Sequence, residues 1–309
     1  MPGIAMKSMP GARTPRGPST RAEGVRQRGW LIVWASVAAL VWSSAAAEET
    51  VLRIESRPGV SEVMVLTPGK LATELANETG SESVVGQAGA KNAVIVLEGG
   101  SGQIWIGKTS DGPDAGKLKI GGSLPVMKRQ ELADRVGAVA ILTQPSDRPV
   151  MDLEWRDSKE HVADVAAAVT VVQQRFPGAK VWLLGLSNGA WSAAHAGAAL
   201  QDKLAGVILM SVAQGAFATR GFAGIRIPVL VVHHRRDACL PYRNIEAQAQ
   251  WHTLITVDDA RLPRPGTRSE CSGSAAHSFR GSEAAVMAAV AEWINTGKAP
   301  DYINQEKAQ

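Results

Sequence analysis

The stretch from Val181 to Trp191, VWLLGLSNGAW, restricts what this chain can fold into more than any other. Its apolar start reads as a buried strand, and the run NGAWSAAHAGAAL beginning at Asn188 reads as a helix. The five residues at the junction, Gly185-Leu186-Ser187-Asn188-Gly189, match G-x-S-x-G. A strand that reverses into a helix this abruptly needs glycines at the flanks, because side chains there would strike the neighbouring backbone. The turn would lift the Ser187 hydroxyl above a sheet edge. It would also set that hydroxyl at a helix N-terminus, where unpaired N–H groups and the helix dipole favour negative charge. Glycine accounts for 31 of 309 residues, so the pattern alone is weak, and a tight turn with an incidental serine is the bland alternative. The strand before it and the helix after it supply the required context.

The rest of the chain has the same alternation. Val51 to Ile54 and Val63 to Leu66 flank Arg57-Pro58-Gly59 and read as an antiparallel pair. Strands are expected at Ala93 to Leu97, Ala138 to Leu142, Lys180 to Leu184, Gly206 to Met210, Val229 to Val232 and Leu254 to Val257. Helices are expected at Met127 to Arg135, Ser158 to Arg175, Asn188 to Leu200, Asn244 to His252 and Ser282 to Asn295. Residues 103–125, rich in Gly, Lys and Asp, read as a surface loop. Strands alternating with helices imply a mixed, mainly parallel sheet covered on both faces, in one domain over residues 48–309.

Residues 1–47 read differently. Six basic side chains against one acid precede the apolar run WLIVWASVAALVW and then Ala45-Ala46-Ala47, the pattern of a cleavable signal peptide. The run is shorter than the roughly 20 residues a membrane span needs, which disfavours the alternative of an uncleaved anchor. The chain's net charge of +4 is concentrated there, leaving about −1 for the remainder. That balance removes the main support for nucleic-acid binding. An exported, soluble mature protein is expected, periplasmic or secreted. In an oxidising compartment the two cysteines, Cys239 and Cys271, are expected to be bridged.

A serine hydroxyl needs a base to take its proton and an acid to orient that base. Following this kind of turn the acid comes after a later strand and the histidine near the C-terminus. Asp237, after the strand Val229 to Val232, and His277, before the last helix, occupy those places. Asp258 and Asp259 are alternative acids. His195, His252 and His161 read as packed or surface helix residues, and His233-His234 with Asp237 as a weak metal set without a fourth ligand. A Cys239–Cys271 bridge would hold the Asp237 and His277 loops together, as catalysis by that pair requires. The oxyanion donors expected are the Asn188 N–H and one from Gly99-Gly100-Ser101, with Gly100 first and Ser101 second. A plain glycine turn is the alternative there.

The combination VWLLGLSNGAW, IPVLVVHHRRDAC and AAHSF resembles the α/β-hydrolase superfamily, in its compact serine-hydrolase form, over most of residues 60–295. The resemblance implies Ser187, Asp237 and His277 as catalytic triad. One departure is that Glu98 stands where many lipases and esterases have the histidine of HGGG. The span Val212 to Arg226, where many members insert a lid, is short, so no large lid is expected. The leading functional reading is an exported esterase-like serine hydrolase working through an acyl-enzyme on Ser187, with a peptide or other acyl bond possible. It would need no metal or organic cofactor, and its partner would be a small-molecule or acyl substrate. Acyl transfer on the same triad, or a non-catalytic binding protein of the same fold, are the alternatives. Trp191 and Trp105 are candidate pocket residues, and ordinary packing would explain either equally well.

Overall fold

Runs of branched apolar residues become strands here because helices cover both faces of the sheet they form. The computed structural model describes residues 48–70, 89–110, 116–213, 224–249, 252–258 and 269–304. Residues 1–47, expected from the sequence to be a signal peptide, lie outside them. Strands β1 (Thr50–Arg57), β2 (Val60–Pro68), β3 (Asn92–Leu97), β6 (Gly137–Leu142), β7 (Lys180–Leu186), β8 (Gly206–Met210), β9 (Val229–His234), β10 (Thr253–Val257) and β11 (Tyr302–Ile303) form one nine-stranded sheet. Its order is β1-β2-β6-β3-β7-β8-β9-β10-β11. The β1–β2 and β2–β6 pairs are antiparallel and the others parallel, as the alternating pattern implied. Gly59, at φ +74°, makes the β1–β2 turn.

Side chains alternate between the faces with a period of two. Ile95, Leu97 and Leu183 pack against α4 (Lys159–Arg175) and α5 (Asn188–Ala199). Val94, Val96 and Leu184 pack against α2 (Arg129–Val136) and α7 (Glu283–Thr296). Ser158 caps α4 by accepting the His161 N–H, and the helix stops before Pro177-Gly178. Helix α6 (Arg243–Ala249) packs on the first face.

Register places the site. Leu97 is level with Gly185, Leu186 with Met210, and Met210 with Val232. The loops leaving β3, β7, β8 and β9 therefore open on one edge, the carboxyl edge, where open α/β sheets place their ligands.

Three regions differ from the sequence expectation. Within residues 103–125 lies an antiparallel hairpin, β4 (Trp105–Lys108) with β5 (Leu118–Gly121), followed by the short helix α1 (Leu124–Met127). Ile106, Leu118 and Ile120 turn toward the second face of the core, too sparsely spaced to stand out among Gly, Lys and Asp. A further short helix, α3 (Leu153–Arg156), and the two-residue strand β11 also carry no strong periodicity. Residues 211–228 link β8 to β9, too short a run for a large helical lid. Among the described residues no helix is long and apolar enough to cross a membrane.

A partly buried ionic cluster ties the β1–β2 end to helix α4. Arg57 Nε donates to Asp164 Oδ1 at 2.7 Å and its Nη2 to Asp147 at 2.9 Å. Beside it, burial and then the Asp164 charge push the Glu62 carboxyl from its ordinary 4.5 to about 8. The folded protein keeps a proton on Glu62 that the unfolded chain releases near 4.5. This residue's stabilising contribution is thus complete below that pH and is lost as pH rises toward 8. Glu62→Gln is expected to flatten the fall in stability between about pH 5 and 8, measured by urea unfolding; a variant profile parallel to the wild type would overturn the assignment.

Candidate active site

The turn at Ser187 is built by backbone packed directly on backbone. A Cβ on Gly189 would lie 2.0 Å from the Leu97 carbonyl oxygen, and one on Gly185 2.0 Å from the Gly189 carbonyl oxygen. A Cβ on Gly99 would lie 2.6 Å from the Leu186 carbonyl oxygen. With no side chains between them, β3, β7 and the first turn of α5 close on each other, and Ser187 is left at φ 58°, ψ −123°. Such a conformation costs a non-glycine residue on the order of 1–3 kcal/mol and persists only where its surroundings enforce it. Among the described residues only two other non-glycines have positive φ, Ser211 (44°) and Phe279 (58°). Both lie at the same edge, Ser211 directly after β8 and Phe279 two residues beyond His277.

The structure brings Asp237 and His277 together. His277, on the 3₁₀ turn Ala276–Ser278, has Nδ1 2.8 Å from Asp237 Oδ2, and both residues are buried. A carboxylate can only accept, so Nδ1 carries the proton and Nε2 keeps its lone pair. Asp237 Oδ1 accepts the Cys239 and Leu240 N–H groups, each at 2.9 Å. Ser211, which the sequence did not single out, links this pair to the elbow. Its Oγ donates to the His277 carbonyl at 2.7 Å, and the carbonyl of the preceding Met210 accepts the Ser187 N–H at 2.9 Å. Cys239 and Cys271 form a disulfide with a Cα–Cα distance of 5.0 Å, tying the Asp237 loop to the chain leading to His277. Among the described residues the Ser187 hydroxyl makes no hydrogen bond, so Asp237 and His277 are joined to each other and not to that hydroxyl.

Asn188 opens α5, where the first N–H groups have no intrahelical acceptor. Its side-chain Nδ2 donates to the Gly100 carbonyl at 3.0 Å, bringing the elbow and the Gly99–Ser101 loop into contact. The same carbonyl accepts from Arg156 Nη2 at 3.1 Å. Arg156 is fully buried, and it also donates to Ser192 Oγ at 2.7 Å and to the Met151 carbonyl at 3.2 Å. Burial lowers its pKa to about 10, so it stays cationic at neutral pH. The Ser101 carbonyl accepts the Met151 N–H at 2.9 Å. The Glu98 carboxylate accepts the Ser123 N–H at 2.9 Å and the Ser123 hydroxyl at 2.7 Å; burial raises its pKa, and the Arg156 charge offsets part of that. Sequence reasoning missed Arg156 because a lone arginine in MDLEWRDSKE carries no motif.

The remaining candidates have other occupations. Asp258 takes Arg236 at 3.1 Å and Arg235 at 3.6 Å, which gives those two arginines a role, and Asp259 lies outside the described residues. His195 Nδ1 is 3.5 Å from Asp157, whose carboxylate also accepts the Trp191 indole N–H. His161 is buried and held neutral, its pKa lowered to about 3 by burial. His252 lies just before β10, at the opposite edge of the sheet. His233 and His234 point to opposite sides of β9, so they form no ligand pair; His234 Nδ1 accepts the Arg236 N–H at 3.0 Å. Asp237, Cys239 and His277 have ligand-type atoms within 4.8 Å of one another, but the Cys239 sulfur is held in the disulfide. Trp105 is 55% exposed on the hairpin.

Neither a protein-family model nor any curated protein sequence matches this chain. Solved structures do. A serine hydrolase without lid from Xanthomonas campestris is similar over 82% of this chain and 97% of its own, with TM-score 0.51 and 17% identity. A dienelactone hydrolase from Anabaena variabilis is similar over 81% and 98%, with TM-score 0.51 and 12% identity. The nine-stranded sheet, the strand–turn–helix elbow and these likenesses together give the chain the α/β-hydrolase fold. Among the described residues there is no large helical lid.

Two structural predictions follow the geometry. The Cys239–Cys271 bridge closes a sequence separation of 32 residues. Replacing both cysteines by serine should cost about 3–4 kcal/mol in urea unfolding on the loop-entropy account, and an unchanged midpoint would deny the bridge that role. Arg156→Met, which leaves the Gly100 carbonyl without its buried cationic donor, should destabilise by about 3 kcal/mol; a loss below 1 kcal/mol would show the charge is dispensable.

Proposed function

We propose that this chain is an exported serine hydrolase that cleaves an ester through an acyl-enzyme on Ser187, with His277 as base and Asp237 as its orienting acid. Its main support is the buried 2.8 Å contact between His277 Nδ1 and Asp237, held at the same sheet edge as the strained Ser187 turn. In this mechanism His277 Nε2 accepts the Ser187 proton as Oγ attacks the carbonyl carbon. Asp237 keeps the imidazole in the Nδ1–H tautomer and stabilises the imidazolium that forms. The negative charge that develops on the carbonyl oxygen is met by the Asn188 N–H at the head of α5 and a donor from the Gly99–Ser101 loop, with Gly100 or Ser101 supplying it. His277 then protonates the departing alkoxide, and water, activated by the same imidazole, resolves the acyl-enzyme. The short 211–228 link favours small, freely diffusing acyl substrates that reach an open site. The signal-like leader and the disulfide both fit a protein working outside the cytoplasm.

A fluorophosphonate probe should label the mature protein at one site and fail to label Ser187→Ala. Asp237→Asn should reduce kcat on a p-nitrophenyl ester by about 10³-fold or more, since the imidazole then loses its tautomer control. Absence of labelling in the wild type would end the enzyme reading.

A further inference from the structure

His233 is buried on β9 four residues before Asp237, and the mechanism above makes no use of it. Its Nε2 lies 2.7 Å from the Leu240 carbonyl oxygen and 3.4 Å from Asp237 Oδ2. Both neighbours are acceptors, so Nε2 carries the hydrogen, and its positive end faces the same carboxylate oxygen that His277 Nδ1 contacts at 2.8 Å. At 3.4 Å the approach to Asp237 is an electrostatic contact, and the full hydrogen bond goes to Leu240. The other ring nitrogen, Nδ1, is buried with no hydrogen-bond partner among the described residues. A proton there would have no acceptor, and burial lowers the His233 pKa, so the ring stays neutral. Around it stand Asp237, His277 and the Tyr242 ring at 6.1 Å, whose hydroxyl is hydrogen-bonded to Thr256 Oγ1 at 2.7 Å.

We propose that His233 is a positioning residue for the Asp237–His277 pair. Its fixed Nε2–H pins the 237–240 turn to β9 and moderates the negative charge that Asp237 presents to His277. Asp237 thus has three hydrogen-bond donors, two backbone N–H groups on Oδ1 and the His277 imidazole on Oδ2, with the His233 N–H 3.4 Å from that same Oδ2. A neutral dipole with its positive end at Oδ2 works against an imidazolium forming on the far side of that oxygen. This deepens the triad reading and rests on it.

The test compares His233→Phe, which keeps a ring and removes the donor, with His233→Gln, which returns an amide N–H to about the same place. In kcat/KM against pH for a p-nitrophenyl ester, His233→Phe should move the acid-limb midpoint upward by about half a unit to one unit. It should lower kcat several-fold with KM within about twofold, and Gln should restore both. A purely structural role predicts the reverse sign: a loosened Asp237 would support the imidazolium less and the midpoint would fall. A midpoint that falls or stays, or a Gln variant no better than Phe, overturns the proposal. If His233→Phe does not fold, ¹⁵N NMR of the wild-type imidazoles decides. A neutral His233 with its hydrogen on Nε2 from about pH 5 to 9 is expected, and an Nδ1–H tautomer or a titration in that range overturns the proposal. The NMR result does not depend on catalysis. A wild type that never labels at Ser187 would sink the triad reading, whereas a labelled wild type with the wrong shift sinks only the role of His233.

Discussion

The contact on which the rest depends is the touching of three backbones where β3, β7 and α5 meet. Gly189 lies against the Leu97 carbonyl and Gly185 against the Gly189 carbonyl, with no room for even one added carbon at either place. That closeness forces the reversal at Ser187. The adjoining end of β8 sends Ser211 to hold the carbonyl of His277. Without the glycines the strand and helix would separate by the width of a side chain, and the strained serine would relax into an ordinary turn. The strain at Ser187, Ser211 and Phe279 is maintained by the two apolar layers behind the sheet, which fix the level at which each strand ends.

Charge at this edge follows the same economy. Asp237 is buried, and its two oxygens accept two backbone N–H groups and the His277 Nδ1–H, so the carboxyl is hydrogen-bonded away from water. Arg156 is buried more completely, and it directs its three hydrogen bonds to two carbonyls and one hydroxyl, with Glu98 supplying the opposing charge nearby. These groups are set by loops, but the loops are tied to strand ends by hydrogen bonds and in one place by a disulfide. The geometry is thus as fixed as that of the sheet.

Features that repeat locally were legible in the sequence. The buried strands announced themselves as uninterrupted Val, Ile and Leu, α4 and α7 as helical stripes, and the elbow as a motif flanked by the right elements. The pairing of Cys239 with Cys271 followed from their number and from an N-terminus that reads as an export signal. What escaped notice depends on contacts between residues far apart in the chain. Arg156 reaches Gly100 across 56 positions and Ser211 reaches His277 across 66, and neither residue type in its local context signals such a partner. The β4–β5 hairpin was hidden for a different reason: its inward positions are few, and its glycines and lysines resemble those of an irregular loop. Arg235 and Arg236 belong to no motif, and their role is to brace Asp258 at the end of β10.

The Glu98–Ser123 contact has a consequence for how this chain can vary. The chain leaves β3 at Glu98 and, after the hairpin, returns at Ser123 to the carboxylate from which it set out. Everything between is an excursion closed at its base. Its length and surface can therefore drift while the Gly99–Ser101 turn, braced separately by Arg156 and Asn188, keeps its place. A fold arranged this way can exchange one hairpin for another as a self-contained cassette, presenting a new outer wall to incoming molecules over unchanged chemistry.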